Sequence, residues 1–145
     1  MKRILGIDYG DARTGISITD ALKITAQGLE TIYNKGSDKV ILKRLDEIFK
    51  LYEVDTIVIG RPINMNGTES DRTEITDKFI HKLKCKYNTL KIEQIDERLT
   101  TVAAHKTMNL LDVNKYKKKN IVDTISAVYI LETYLNKLNF NKNIN

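Results

Sequence analysis

The run Ile95-Asp96-Glu97-Arg98-Leu99-Thr100-Thr101 concentrates side chains that can do metal chemistry. Two carboxylates close a strand-like stretch, an arginine follows, and two threonines can open a helix. Two further acids stand where they can meet this pair. Asp8 ends an apolar stretch near the N-terminus, and Asp123 falls in the expected first turn of an amphipathic helix near the C-terminus. Asp8, Glu97 and Asp123 are expected to converge on divalent metal, although strand alternation alone does not choose between Asp96 and Glu97. Carboxylate oxygens are hard ligands suited to Mg²⁺ or Mn²⁺, which keep several waters and accept phosphate oxygens. Two such ions about 4 Å apart can activate a water and stabilise a leaving oxygen. The chemistry indicated is phosphodiester cleavage. Two histidines, His81 and His105, and one cysteine, Cys85, give poor support to a zinc site or a cysteine–histidine nucleophile.

Each acid taken singly has a plainer use. Asp before Gly is common in turns, an acid in a first helical turn favours the dipole, and Asp96-Glu97-Arg98 can be a surface charge cluster. Arg13, Arg61 and Arg98 can grip phosphate. Lys117, Lys118 and Lys119 form a basic stretch expected in a loop. These six are the candidate nucleic-acid contacts.

The elements that must position the acids follow from periodicity. Arg3–Ile7 reads as a buried central strand, and Thr14–Thr19 alternates as a half-buried one. The short connection predicts an antiparallel hairpin, with a third, irregular strand through residues 26–32. Ile41, Leu45, Ile48, Phe49 and Tyr52 predict a helix over 38–52. Thr56–Gly60 is a buried strand, followed by a loop with the only proline, Pro62. Thr68-Glu69-Ser70-Asp71 resembles a capping box before a helix carrying Ile75, Phe79 and Leu83. Residues 90–95 form a strand, and Thr100 or Thr101 can cap a short helix with Val102, Ala103, Met108 and Leu110. Ile121, Ile125, Val128, Leu131, Leu135 and Leu138 predict the last helix, with Asp123 roughly 200° around from Ile121. The expected class is α/β: a mixed sheet with a three-strand antiparallel meander and parallel strands, flanked by helices.

The chain has 145 residues, 41% hydrophobic and 30% charged, which suits one domain over 1–138 with a polar tail at 139–145. No apolar run is long enough to span a bilayer, and no signal peptide is expected. A single cysteine excludes an internal disulfide and fits a reducing compartment; Cys85 is expected as a partly buried helix residue. The net charge is +5, with seven lysines against three acids from Thr101 onward. That balance favours a polyanionic partner such as nucleic acid.

Four motifs then converge. Leu5-Gly6-Ile7-Asp8-Tyr9-Gly10 with Arg13 and Gly15, Gly60-Arg61-Pro62-Ile63-Asn64-Met65-Asn66-Gly67-Thr68, Asp96–Thr101, and Val122–Ala127 closely resemble the YqgF family, in the family's order and over nearly the whole chain. Its members are described as pre-16S rRNA nucleases and, earlier, as Holliday junction resolvases. The resemblance implies a ribonuclease H-like fold, a bacterial cytoplasmic protein and Mg²⁺- or Mn²⁺-dependent cleavage. It assigns catalysis and metal binding to Asp8, Glu97 and Asp123, so Glu97 is chosen over Asp96, and it matches Arg13 and Arg98 to motif arginines near the site. Arg61 and Ser126 depart from the family's usual residues without touching an acid. The expected partner is structured RNA, or alternatively branched DNA, with no membrane, and the protein is expected as a monomer or homodimer. A non-catalytic RNA-binding or transcription-associated role is the rival from another class.

Overall fold

Strand β1 (Arg3–Asp8) is apolar on both faces and forms the centre of a five-stranded sheet. Leu5 and Ile7 pack to one side and Ile4 to the other, as the twofold alternation of a strand requires. The computed structural model describes residues 2–98 and 115–144, with side chains over 2–98 and 124–141. Strand β2 (Arg13–Thr19) returns antiparallel to β1, and β3 (Ala26–Tyr33) is antiparallel to β2. The expected irregularity in β3 is a register shift between Ile16 and Ser17, which face Glu30 and Gly28 and leave Leu29 as the extra residue. Helix α1 (Asp38–Leu51) leads to β4 (Val54–Arg61), helix α2 (Asp71–Lys86) to β5 (Lys91–Asp96), and both strands are parallel to β1. The order is β3-β2-β1-β4-β5.

Helices α1 and α2 bury Ile41, Leu45, Ile48, Phe79, Ile80 and Leu83 against one sheet face. Helix α3 (Lys115–Ile144) covers the other with Ile130, Leu131, Tyr134 and Leu135. Gly6 permits this approach. A Cβ there would lie 2.7 Å from Leu131 Cγ and 3.0 Å from the Ala127 carbonyl oxygen. Ser17 Oγ donates to that same carbonyl at 2.7 Å, tying α3 to β2.

Four expectations change. The capping box uses Ser70 and Thr73, not Thr68 and Asp71. Thr68 is engaged in its own loop, its hydroxyl donating to Asn66 Oδ1 at 2.6 Å. Cys85 is exposed, because it lies two positions beyond the buried Leu83 on the opposite side of α2. Helix α3 starts at Lys115, so Lys117, Lys118 and Lys119 belong to a helix and not to a basic loop. Nothing between Lys115 and Ile121 breaks a helix, and lysine is a good helix former. Asp123 therefore sits more than two turns inside α3, and the first-turn dipole argument does not apply to it. These four aside, α3 runs to Ile144. The short helix expected after Thr101 lies outside the described residues.

Candidate active site

The carboxyl ends of β1, β4 and β5 lie side by side, and the alternation in each strand selects what faces α3. Residues 4 and 6 of β1 meet α3, so Asp8 continues that row. Val58 packs on the same face from β4, which puts Gly60 on it as well. Ile7 pairs with Ile59, so the next rung sets Asp8 level with Gly60 on the neighbouring strand, about 5 Å away. From β5, Ile95 faces α3, and Glu97 is the next residue of that phase.

Glu97 follows the strand but is still on the ladder, its backbone N–H donating to the Arg61 carbonyl at 3.2 Å. Its carboxyl lies directly on Gly60. A Cβ at Gly60 would fall 2.5 Å from Glu97 Cγ and 2.6 Å from Cδ. The glycine is thus a cradle for the carboxylate, which reaches over β4 toward Asp8. Glu97 Oε1 is itself a buried oxygen. Asp96 points elsewhere: it accepts from the Arg98 backbone N–H at 3.0 Å and from Arg98 Nε at 2.8 Å. The Arg98 guanidinium holds the Asp96 carboxyl below the usual carboxylate range. The division between Asp96 and Glu97 is therefore a division of labour between an arginine clamp and the sheet end.

The turn after Asp8 is braced from three elements. Asn34, at the end of β3, is 1% exposed and donates Nδ2 to the carbonyls of Gly10 at 3.0 Å and Asp11 at 2.9 Å. Its Oδ1 accepts from Thr14 Oγ1 at 3.1 Å. Arg72 of α2 donates to the Tyr9 carbonyl at 2.6 Å and to Asp11 Oδ1 at 2.7 Å. Tyr9 stacks on Phe79 with ring centroids 4.3 Å apart and donates its hydroxyl to Asp38 Oδ1 at 2.6 Å. Burial and the Asp38 carboxylate push the Tyr9 phenol well above its ordinary value. Asn34→Ala removes three hydrogen bonds from this turn, each worth about 0.5–1.5 kcal/mol net, while the Asp11 carbonyl keeps the Gly36 N–H. The expected loss is about 2–4 kcal/mol of stability, read as a lower urea midpoint with an unchanged m-value.

Arg61 has a structural task. Its guanidinium grips Asp77 in a two-pronged pair, Nε to Oδ1 at 2.9 Å and Nη2 to Oδ2 at 3.0 Å, and also holds Glu69 at 2.7 Å. Arg61 keeps the Asp77 carboxyl below its ordinary value. A depressed folded value contributes stability above the unfolded pKa of about 3.9 and loses it as pH falls through the folded value. Arg61→Ala is expected to cost at most about 1 kcal/mol near neutral pH, with the difference from wild type closing below about pH 4. The salt dependence of nucleic-acid binding is expected to stay as it is, which a binding titration over a salt series checks.

Arg98 lies near Gly67 of the β4–α2 loop, its Nη1 3.6 Å from where a Cβ would stand. Arg13 begins β2 at the register of Tyr33, two positions along β2 from the Gly15 that pairs with Asp8. Asp123 is one turn before Ala127 on α3, the residue whose carbonyl Ser17 holds. Its side chain and those of Lys117, Lys118 and Lys119 lie outside the described ones. Among the described residues, no three His, Cys, Asp or Glu side chains form a metal-holding group. The sequence shows Gly60 only as the head of a motif, with no role of its own, and it does not mark Asn34 or Arg72. A glycine ending a β-branched strand does signal a close approach, whereas Asn34 and Arg72 act across 23 and 61 residues to Asp11 and leave no local pattern.

Known proteins align with this chain along almost its whole length. The sequence model of the RuvX family, described as "Holliday junction resolvase", matches residues 2–137. A protein of Ruminiclostridium cellulolyticum named "Putative pre-16S rRNA nuclease" is 55% identical over 140 residues, 97% of this chain and 98% of that one. A protein of Acetivibrio thermocellus with the same name is 50% identical over 133 residues, 92% of this chain and 94% of its own. Among solved structures, the fowlpox virus Holliday junction resolvase superposes with TM-score 0.58 at 14% identity, covering 94% of this chain and 99% of that one. The T. thermophilus RuvC in complex with Holliday junction substrate gives TM-score 0.53 at 9% identity, covering 92% and 96%. At these identities the likeness shows the fold, which is ribonuclease H-like. The match over residues 2–137 and relatives at half identity or more make the wider conclusion plain: the chain belongs to the RuvX (YqgF) family.

Proposed function

We propose that this chain is a metal-dependent nuclease that hydrolyses phosphodiester bonds and processes the 5′ end of precursor 16S rRNA in the bacterial cytoplasm. The observation that carries the reading is the Glu97 carboxyl seated on Gly60, with Asp8 on the adjacent strand of the same sheet face. The glycine leaves room on β4 for the Glu97 carboxyl, on the strand next to the one that carries Asp8. Asp8, Glu97 and, from α3, Asp123 are the ligands in this reading. Their all-oxygen donor set fits Mg²⁺ or Mn²⁺. The bound ion supplies Lewis acidity toward the phosphate and a water of lowered pKa.

The remaining work belongs to the chain. The braced turn at Tyr9–Asp11 holds Asp8 in place, and the ladder bond to Arg61 holds the Glu97 backbone. Arg13 and Arg98 are the candidate phosphate clamps beside these acids, and Lys117, Lys118 and Lys119 are further candidate contacts. A water gives up one proton to solvent as its oxygen adds to phosphorus, the bond to the leaving oxygen breaks, and that oxygen takes up a proton from solvent, so atoms and charge balance. The choice of rRNA is supported by the names of the relatives that share half of this sequence. Among the described residues no helix is long and apolar enough to cross a membrane.

The family's description favours one second reading, a four-way DNA junction as substrate. Paired cuts in a junction call for two sites in a symmetric dimer. Wild-type protein in Mn²⁺ is to be given a labelled precursor 16S leader and a labelled four-way junction. Cleavage of the RNA alone is expected. Paired nicks in the junction alone would move the protein to recombination, and binding without cleavage of either would favour a non-catalytic factor.

A further inference from the structure

Beside the acids, at the outer edge of β5, lies a cavity of about 510 Å³. Asp96 and Arg98, the residues on either side of Glu97, both line it. Two apolar side chains contribute to its wall, Ile95 from β5 and Met65 from the β4–α2 loop. Ile95 is 6% exposed and Met65 is 73% exposed.

A lone exposed apolar residue is ordinary. What sets Met65 apart is its support. It is the second residue of a β-turn closed by Gly67 N–H donating to the Asn64 carbonyl at 2.8 Å. Asn64 N–H donates to the Thr68 carbonyl at 2.9 Å, and Asn64 Nδ2 to Thr68 Oγ1 at 3.0 Å. Gly67 takes φ +87, which closes the turn without strain. The loop is held by its own hydrogen bonds and presents methionine at the cavity.

We propose that this cavity takes one unstacked nucleobase of the RNA strand being cut, with Met65 packed on the face of the base. The assignment rests on the nuclease reading above, because it is the phosphate next to that base that would reach Glu97. The chemistry matches a base in three respects. A base is apolar on its faces and polar at its edges, and the two apolar side chains share the cavity with polar groups. Of these, Thr133 donates its hydroxyl proton to the Tyr129 carbonyl at 2.7 Å, which leaves its oxygen as an acceptor for a base amine. The Gln94 amide offers both a donor and an acceptor. Arg98 and Asp96 pair with each other in the cavity wall, and Lys137 leaves one positive charge in excess for a flanking phosphate. Methionine is a known wedge against bases, and a flexible thioether accepts any of them. Weak preference for base identity follows.

The test uses a hairpin RNA with a single-stranded flank, 2-aminopurine being walked through the flank one nucleotide at a time. Ca²⁺ replaces Mn²⁺ so that the RNA stays intact. Wild-type protein is expected to raise the fluorescence at one position as that base leaves the stack. Met65→Ala is expected to lose the rise and to bind about tenfold more weakly, of the order of a sulfur–aromatic contact. Met65→Leu is expected to keep most of both. Because Met65 is exposed, all three proteins should share one thermal midpoint. A rise at every position alike, or one unaffected by Met65→Ala, overturns the base site. Parallel digestion in Mn²⁺ separates the two readings. Cleavage without a Met65-dependent signal removes the base site and leaves the nuclease standing. The signal without cleavage keeps the base site and removes the nuclease.

Discussion

Asp8→Asn is expected to lower the cleavage rate by at least about 10³-fold, the equivalent of about 4 kcal/mol in the barrier. The substitution keeps the shape of the side chain and one acceptor oxygen, and it removes the charge. Hard divalent ions need that charge, since an amide oxygen is a much poorer ligand than a carboxylate. The fold is expected to survive. Asp8 is the last residue of β1, on a rung formed by backbone pairing with Gly15, and the turn beyond it is held by Asn34 and Arg72. The metal-free variant should therefore melt close to the wild-type temperature. Mn²⁺ should raise the melting temperature of the wild type, because a ligand bound only by the native state stabilises it. In Asp8→Asn that rise should shrink or vanish. A variant that cuts at the wild-type rate, or one whose Mn²⁺ response is unchanged, would remove Asp8 from the site.

Gly60→Ala is expected to cost about 10²-fold in cleavage rate with little change in stability. The added Cβ would stand 2.5 Å from Glu97 Cγ, closer than real contacts allow, so one of the two must move. The backbone of β4 is held by β1 as far as Ile59 and by β5 at Gly60 and Arg61, and it yields less than a side chain. The Glu97 side chain does yield, since it springs from the turn after β5. A carboxylate displaced by about 1 Å loses the geometry on which catalysis depends, a shift that costs about 10²-fold. Alanine is otherwise no worse than glycine in a strand. Gly6→Ala is the contrasting case. There the Cβ meets a helix carbonyl and Leu131, so stability falls instead. Adding Glu97→Asp to Gly60→Ala withdraws one methylene from the crowded space and should recover part of the lost activity. Full activity in Gly60→Ala would refute the cradle.

Much of this arrangement is legible in the sequence. The apolar run through Ile7 and the β-branched run through Ile59 announce central strands, because only a strand buried on both faces tolerates such composition. The spacing of Ile41, Leu45 and Ile48 announces a helix for the same local reason. Element ends were harder. The cap of α2 moved from Thr68 to Ser70 because Thr68 bonds within its own loop, a competition between neighbours that residue types do not resolve. The start of α3 moved to Lys115 because a lysine run permits a helix as readily as a loop.

The sequence by itself determined the layers of the fold, the family, and which acids end strands, since these depend on local periodicity and on motifs read in order. Only the tertiary structure decided where those acids lie relative to one another's strands and to their partners. It set Asp8 level with Gly60, laid Glu97 over that glycine and gave Asp96 to Arg98. It paired Arg61, a candidate phosphate contact, with Asp77 and Glu69. It also made Asn34 and Arg72 the braces of the Asp8 turn. The physical reason is common to all of them: each depends on strand register and on side chains brought together across tens of residues, and the energy of such a contact belongs to the pair and is written in neither residue alone.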